Sequence, residues 1–270
     1  MKQISILGCG WLGLPLAKSL VDKGFWVKGS TTSPEKIPVL ENNGIHAFQI
    51  ELSEHGINGE IKSFLENSEI LIIDIPPKLR SVIPENFVRK IQNLIPFIEK
   101  STVEKIVFIS STAVYADDNS VVTEATKPNP DTESGKQLLE AEKILHGNSN
   151  FKSSVIRFGG LIGENRHPVH FLAGRKNLEN PQAPINLIHQ TDCIHIIEKI
   201  LPYAQNDNLV WGETFNAVAP FHPTRKEYYR QKALELKLSL PEFDEGKTSF
   251  GKTILSDKVE NILKYKFGSL

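Results

Sequence analysis

Gln3-Ile4-Ser5-Ile6-Leu7-Gly8-Cys9-Gly10-Trp11-Leu12-Gly13 is the stretch whose reading decides the fold. A short apolar, β-rich run meets three glycines in the spacing G-x-G-x-x-G and passes into Leu12 to Lys23, where apolar residues recur at helical spacing. In a strand-turn-helix setting each glycine has its own task. Gly8 permits the tight turn, Gly10 lets a pyrophosphate approach the backbone, and Gly13 lets helix and strand pack closely. Helix amides and dipole then supply an anion site, and Pro15 sits early enough in the helix for its missing N–H to cost nothing. The whole turn, Gly8, Cys9, Gly10, Trp11, Leu12 and Gly13, is therefore expected to cradle a dinucleotide, with Cys9 a small filler rather than a nucleophile. The plainer alternative is a tight βα turn without a ligand.

Working outward, β-rich runs at Phe25 to Val27, Ile45 to Ile50, Ile70 to Ile75, Ile106 to Ile109 and Ser154 to Phe158 alternate with helical patterns. Those patterns are Pro34 to Asn42, Gly59 to Glu66, Val82 to Lys100 and Thr132 to Leu145. Near-continuous apolar strands are buried on both faces, which predicts an α/β fold: a Rossmann-like, doubly wound parallel sheet with right-handed crossovers. After Phe158 the alternation stops. A loop-rich stretch precedes helical signals at Thr191 to Leu201 and Thr224 to Leu236. This predicts a dinucleotide-binding domain over 1–158 and a smaller substrate-binding region over 159–270 packed on it, with the ligand cleft at the carboxyl ends of the strands.

Composition narrows the function classes. The chain has 270 residues, a formal charge of −1, 40% hydrophobic and 23% charged residues, which describes an ordinary globular protein with core enough to need no disulfide or structural metal. Neutral charge without a polybasic run argues against nucleic acid. No apolar run approaches the roughly 18 residues of a membrane span, and the strand-like start does not read as a signal peptide. With only Cys9 and Cys193, a reducing, cytoplasmic location is the expectation.

Coenzyme choice rests on the end of the second strand, where a carboxylate would accept the ribose hydroxyls and repel a 2′-phosphate. Here the chain reads Gly29-Ser30-Thr31-Thr32-Ser33, with Glu35 the first acid and Lys36 beside it. Thr31, Thr32, Ser33 and Lys36 suit a phosphate, so NADP is expected ahead of NAD. Alternatively, the hydroxyls cap the helix starting near Pro34, for which Ser33 is suited.

Further motifs are Glu51-Leu52 after the third strand, Asp74-Ile75-Pro76-Pro77 after the fourth and Ser110-Ser111-Thr112-Ala113-Val114-Tyr115 after the fifth. Arg157-Phe158-Gly159-Gly160-Leu161-Ile162-Gly163 follows, then Asn186-Leu187-Ile188-His189-Gln190-Thr191-Asp192 and Phe215-Asn216-Ala217. In this order, and with the glycine turn, the chain resembles the extended short-chain dehydrogenase/reductase family, the NAD(P)-dependent epimerase/dehydratase group. The resemblance spans nearly the whole chain. It implies coenzyme contacts from Glu51, Leu52, Ile75, Pro76, Ser110 and Lys136, and hydride transfer between a nicotinamide and a hydroxyl-bearing carbon of a small hydroxylated or sugar-like molecule. It also implies a Ser or Thr holding the substrate oxygen, a Tyr moving its proton, and a Lys four residues later lowering that Tyr's pKa.

Ser111 matches the family's Ser or Thr, and Lys136 precedes Glu140 as the family's Lys precedes its Glu. The Tyr is missing: that register puts Thr132 in its place, and no Tyr occurs between Tyr115 and Tyr203. Three readings stay open. The protein is an oxidoreductase or epimerase with Ser111 and another relay, for which Lys136, His189 and Tyr115 are available; or it is an NAD(P)-binding regulator or redox sensor without turnover; or its nucleotide is structural. Thr112, Arg166 and His189 are expected at the substrate, the alternatives being a solvated loop charge for Arg166 and a loop-locking hydrogen bond for His189. Tyr115 is equally a packing aromatic. His167 and His170 lack the companions of a metal site. The expected partners are a small-molecule substrate and, as in relatives, a second copy of the chain paired through helices of the first region.

Overall fold

The computed structural model describes residues 2–77, 79, 85–202 and 209–268. Its first half runs β1 (Gln3–Leu7), α1 (Gly13–Asp22), β2 (Trp26–Thr31), α2 (Ile37–Glu41), β3 (His46–Gln49), β4 (Glu51–Ser53), β5 (Gly56–Asn58), α3 (Ile61–Leu65), β6 (Ile70–Ile73), α4 (Phe87–Glu99) and β7 (Lys105–Ser111). There follow β8 (Val121–Val122), α5 (Glu133–His146), β9 (Lys152–Phe158), β10 (Gly160–Ile162), α6 (Val169–Leu172), β11 (Leu187–His189) and α7 (Gln190–Ile200). The last elements are β12 (Thr214–Ala217), α8 (Arg225–Glu235), β13 (Thr253–Ile254) and α9 (Asp257–Ile262). The start of the helix expected from Val82, residues 82–84, lies outside the described residues.

Seven strands pair in the order β12-β9-β7-β6-β1-β2-β3, every neighbour parallel. This is the predicted doubly wound α/β sheet. Its strands alternate side chains between two buried faces, as the pleat requires. Ile4, Ile6, Ile70, Ile72 and Val107 pack with Leu16 and Leu20 of α1 and Ile196 and Ile200 of α7. Leu7, Leu71, Ile73, Ile106 and Phe108 pack instead with Phe64, Ile91, Leu94, Leu138 and Leu145 from α3, α4 and α5. Chain order reverses between β1 and β6. At their carboxyl ends these two strands run out into Gly8 and Asp74, so the crevice that binds ligands in open α/β sheets opens between those residues.

Beyond Phe158 the chain divides its loyalties. β10 and β11 form a small parallel pair, and Ile162, Val169, Ile185, Leu187, Tyr228, Tyr229 and Ala233 build a separate small core. α8 starts on a capping box, Thr224 with Glu227. Yet α7 packs on the main sheet and β12 extends it beside β9, in register Thr214 with Val155. Among the described residues no helix is long and apolar enough to cross a membrane.

Candidate functional site

The glycine turn is built by its surroundings. Gly8 has φ +106°, in the left-handed region, and a Cβ there would lie 2.4 Å from the Asp74 carbonyl oxygen. A Cβ on Gly13 would lie 2.2 Å from the Gly8 carbonyl oxygen, so only hydrogen lets α1 close on the end of β1. Gly10 differs: a Cβ there meets nothing within 4 Å. The fold itself would tolerate a side chain at Gly10, and the space it would fill is where a diphosphate must come to reach the backbone. No side chain of the turn caps α1 and its first turn holds no acid. The Leu14 and Leu16 N–H groups donate to the Gly10 and Leu12 carbonyls and the Gly13 backbone bonds Asp74, which leaves the Trp11 and Leu12 N–H groups of the turn to meet an anion. This geometry fits a dinucleotide.

Second neighbours hold the turn. The Ser30 hydroxyl accepts from the Gly8 N–H at 2.9 Å, and the Ser30 carbonyl accepts from the Cys9 N–H at 2.7 Å. Cys9 is buried, and burial pushes its thiol up to about 12, which suits a filler. Leu12 is buried under α1. The half-buried Trp11 offers its carbonyl to the Gln190 side-chain amide at 2.6 Å, while the Arg166 guanidinium lies 4.8 Å from its ring centre. Arg166 therefore stands over the glycine turn. Ser30 and Gln190 lie within stretches singled out in the sequence, but neither has a role legible there.

At the expected adenosine end, Thr31 is buried and its hydroxyl accepts from the Ser33 N–H at 3.1 Å. Thr32 and Lys36 are exposed, and Lys36 has no ion pair among the described residues. Ser33 precedes a short 3₁₀ turn, Pro34–Lys36, but makes no side-chain capping bond. Glu51 is exposed, Leu52 is buried against Ile61 and Phe64, Ile75 is half-buried and Pro76 exposed.

At the carboxyl end of β7 the structure departs from several expectations. Tyr115 is 2% exposed, and its hydroxyl accepts from Arg157 Nη1 at 2.5 Å and donates to Asn216 Oδ1 at 3.1 Å. Burial pushes its phenol up, opposite to what a proton relay needs, although Arg157 beside it pulls the other way. Tyr115 is thus a packing and hydrogen-bonding residue rather than a catalytic one. Ser110, expected at the coenzyme, is buried and donates to Glu142 Oε1 at 2.5 Å. Glu142 in turn pairs with Arg157 at 2.6 Å. Thr112, expected at the substrate, is also buried, because it opens a 3₁₀ turn tucked beneath α5.

Ser111 heads that turn, half-buried, its Oγ accepting from the Ala113 N–H at 3.1 Å. Gly135 presses the first turn of α5 onto it: a Cβ there would be 2.1 Å from the Ala113 carbonyl oxygen. Lys136, the next residue, is exposed on that turn, so Ser111 and Lys136 come from abutting elements. Thr132, in the phenol's place, is the cap of α5 and accepts from the Gly135 N–H at 3.1 Å. Glu140 is exposed and pairs with Lys143, whereas the glutamate built into the core is Glu142. Counted back four and eight residues from Glu142, the motif spacing lands on buried Leu138 and on Ser134, neither a cation nor a phenol. His189 caps α7 through Nδ1, which accepts from the Thr191 N–H at 3.2 Å, the loop-locking role.

Asp74 joins this cleft from the end of β6. The Gly13 backbone is its hydrogen-bond partner, and burial, against that bond and the positive field of Arg166, pushes its carboxyl up to about 8. The sequence showed Asp74 within a motif but gave it no role. A hollow of about 400 Å³ at the other end of α1, lined by Leu20, Phe25, His195 and Tyr265 among others, lies away from this cleft. Among the described residues no cluster of His, Cys, Asp and Glu could hold a metal.

No family model matches the chain. Over 272 aligned residues it is 32% identical to protein YeeZ of Escherichia coli K12, covering 99% of this chain and 96% of YeeZ. The chain belongs to the YeeZ family. Among solved structures it is similar to UDP-glucuronic acid 4-epimerase of Bacillus cereus in complex with NAD, with TM-score 0.80, 17% identity, and 99% of this chain and 92% of that one covered. It is likewise similar to a putative NAD-dependent epimerase/dehydratase from Methylobacillus flagellatus, with TM-score 0.77, 21% identity and coverage of 98% and 93%. At the level of the fold, the resemblance to the extended short-chain dehydrogenase/reductase family therefore holds.

Proposed function

We propose that this chain binds a nicotinamide dinucleotide along the glycine turn, NADP ahead of NAD, and uses it in oxidoreduction or epimerisation of a small hydroxylated or sugar-like compound. The observation that carries the coenzyme reading is the contrast among the glycines. Gly8 and Gly13 are required by neighbouring backbone, while Gly10 faces open space that the fold does not need. NAD in the similar B. cereus epimerase supports the same class of ligand. Exposed Thr32 and Lys36, with the uncapped Ser33, favour a 2′-phosphate.

Bound there, the nicotinamide supplies hydride chemistry. In this reading Ser111 donates to the substrate oxygen, its hydroxyl oriented by the Ala113 amide, and Lys136 on the abutting helix turn exchanges the proton that must accompany hydride. Arg166 over Trp11 is placed to hold an anionic group of the ligand. The second reading, an NAD(P)-binding regulator without turnover, is favoured by the loss of the phenol: Tyr115 is buried and Thr132 spent as a cap.

Stopped-flow absorbance at 340 nm with NADPH or NADH and a panel of aldehydes, ketones and sugar nucleotides separates the two. Cofactor oxidation that Ser111→Ala slows is the expected result. Tight coenzyme binding by calorimetry with no oxidation across the panel would favour the regulator.

A further inference from the structure

Asp74 meets the glycine turn with both its backbone and its side chain. Its carbonyl oxygen would lie 2.4 Å from a Cβ on Gly8, and its Oδ2 3.1 Å from a Cβ on Gly13, whose backbone is also its hydrogen-bond partner. A carboxylate thus takes the Gly13 backbone at the N-terminus of α1, beside the amides and within the positive partial charge that would receive a diphosphate. Two anions over one set of donors cost more than either alone gains, and the smaller cost is to neutralise the one that can accept a proton.

We propose that Asp74 is a proton-linked gate on the dinucleotide site: the diphosphate binds the form whose carboxyl is neutral, so binding takes up a proton whenever the empty site holds a carboxylate. This rests on the coenzyme reading above. The groups that face Asp74 leave it as the one that titrates near neutrality among the described residues. From the loop after β10 comes Arg166, a fixed cation. Within the turn, the Cys9 thiol is held up to about 12 by burial, and on α7 burial drives the Cys193 thiol well above its ordinary value. Burial brings Asp74 itself to about 8. Linkage then makes affinity nearly flat in mild acid and lowers it by up to about tenfold per pH unit once the empty site is ionised.

Isothermal calorimetry with NADH and with ADP-ribose tests this between about pH 6.5 and 9.5, in buffers of different ionisation heat. Neither ligand carries a phosphate monoester, whose second ionisation near pH 6 would add its own proton to the balance. The expected result is wild-type affinity falling at least about tenfold across the range, with uptake approaching one proton per site at the alkaline end. Asp74→Asn, and Asp74→Ser as a second neutral form, should bind with flat affinity, no proton uptake, and at least about tenfold more tightly than wild type at the alkaline end. Flat wild-type binding without proton uptake, while Gly10→Val abolishes binding, would overturn the gate and leave the coenzyme site standing. So would neutral variants that bind more weakly than wild type at every pH. If neither wild type nor either neutral variant binds these ligands or NADPH at any pH, the coenzyme reading fails and takes the gate with it.

Discussion

At the β1 end of the cleft, backbone geometry keeps every requirement of a phosphate cradle: Gly8 and Gly13 allow close approach, Ser30 ties the turn, and Gly10 opens it. At the β7 end the hydroxyls of Ser110 and Tyr115 are drawn into the core, while Ser111 stays half-buried and Lys136 exposed. Ser110, Glu142, Arg157, Tyr115 and Asn216 form one buried chain of hydrogen bonds that serves packing. The difference teaches that a phosphate cradle made of amides rests on backbone geometry, whereas a proton relay rests on which side chains packing leaves at the cleft. Only the relay depends on a few particular atoms.

The sharpest way to break this comparison is Glu142→Ala. Removing one partner of a buried ion pair should cost about 3–5 kcal/mol in urea unfolding while leaving the coenzyme affinity of the folded protein within about twofold. Lost turnover at unchanged stability would return that network to chemistry. Gly10→Val comes next: the open space predicts a native circular-dichroism spectrum and stability change within about 0.5 kcal/mol, with coenzyme affinity down at least about 100-fold, near 2.7 kcal/mol. Gly13→Val, by contrast, should fail to fold, since its Cβ meets backbone. Ser111→Ala should lower turnover by about 100-fold with coenzyme affinity unchanged, as loss of a donor to a developing oxyanion does.

A smaller effect is the pH dependence of stability. Because the folded state raises the Asp74 pKa from 3.8 to about 8, it holds a proton that the unfolded chain has released. That contribution is fully present below about pH 4 and is lost as pH rises through about 8. Melting temperatures measured across this range should fall less steeply in Asp74→Asn. Smallest is Thr132→Ala, about 1 kcal/mol of lost helix cap with any turnover unchanged. A collapse of turnover there would make Thr132 a true stand-in for the phenol.

Legibility followed the range of the interaction. The glycine turn could be read because strand, turn and helix are contiguous, with Gly13 answering to the nearby Gly8 and Gly8 to the adjoining strand. Asp74, although visible in a motif, gained meaning only when β6 was set beside β1. The same holds for Ser110 with Glu142, 32 residues apart, and Tyr115 with Arg157, 42 apart. Glu140 and Glu142 were indistinguishable on paper. Two helical positions turn a side chain through about 200°, from solvent to core, and only packing tells which one faces Arg157. Ser33 and His189 show the same limit in small: the residue suited to cap a helix makes no capping bond, and the one read as a cleft group does.

By itself, then, the order of residues determined a parallel αβ sheet, the glycine cradle at its switch point and the absence of a phenol four residues before a lysine, since all of these are written in local periodicity and spacing. Tertiary structure alone decided which hydroxyls and carboxylates face the cleft and which are consumed inside. Burial and hydrogen-bond satisfaction are properties of the whole packed arrangement, set by strands and helices that meet from distant parts of the chain.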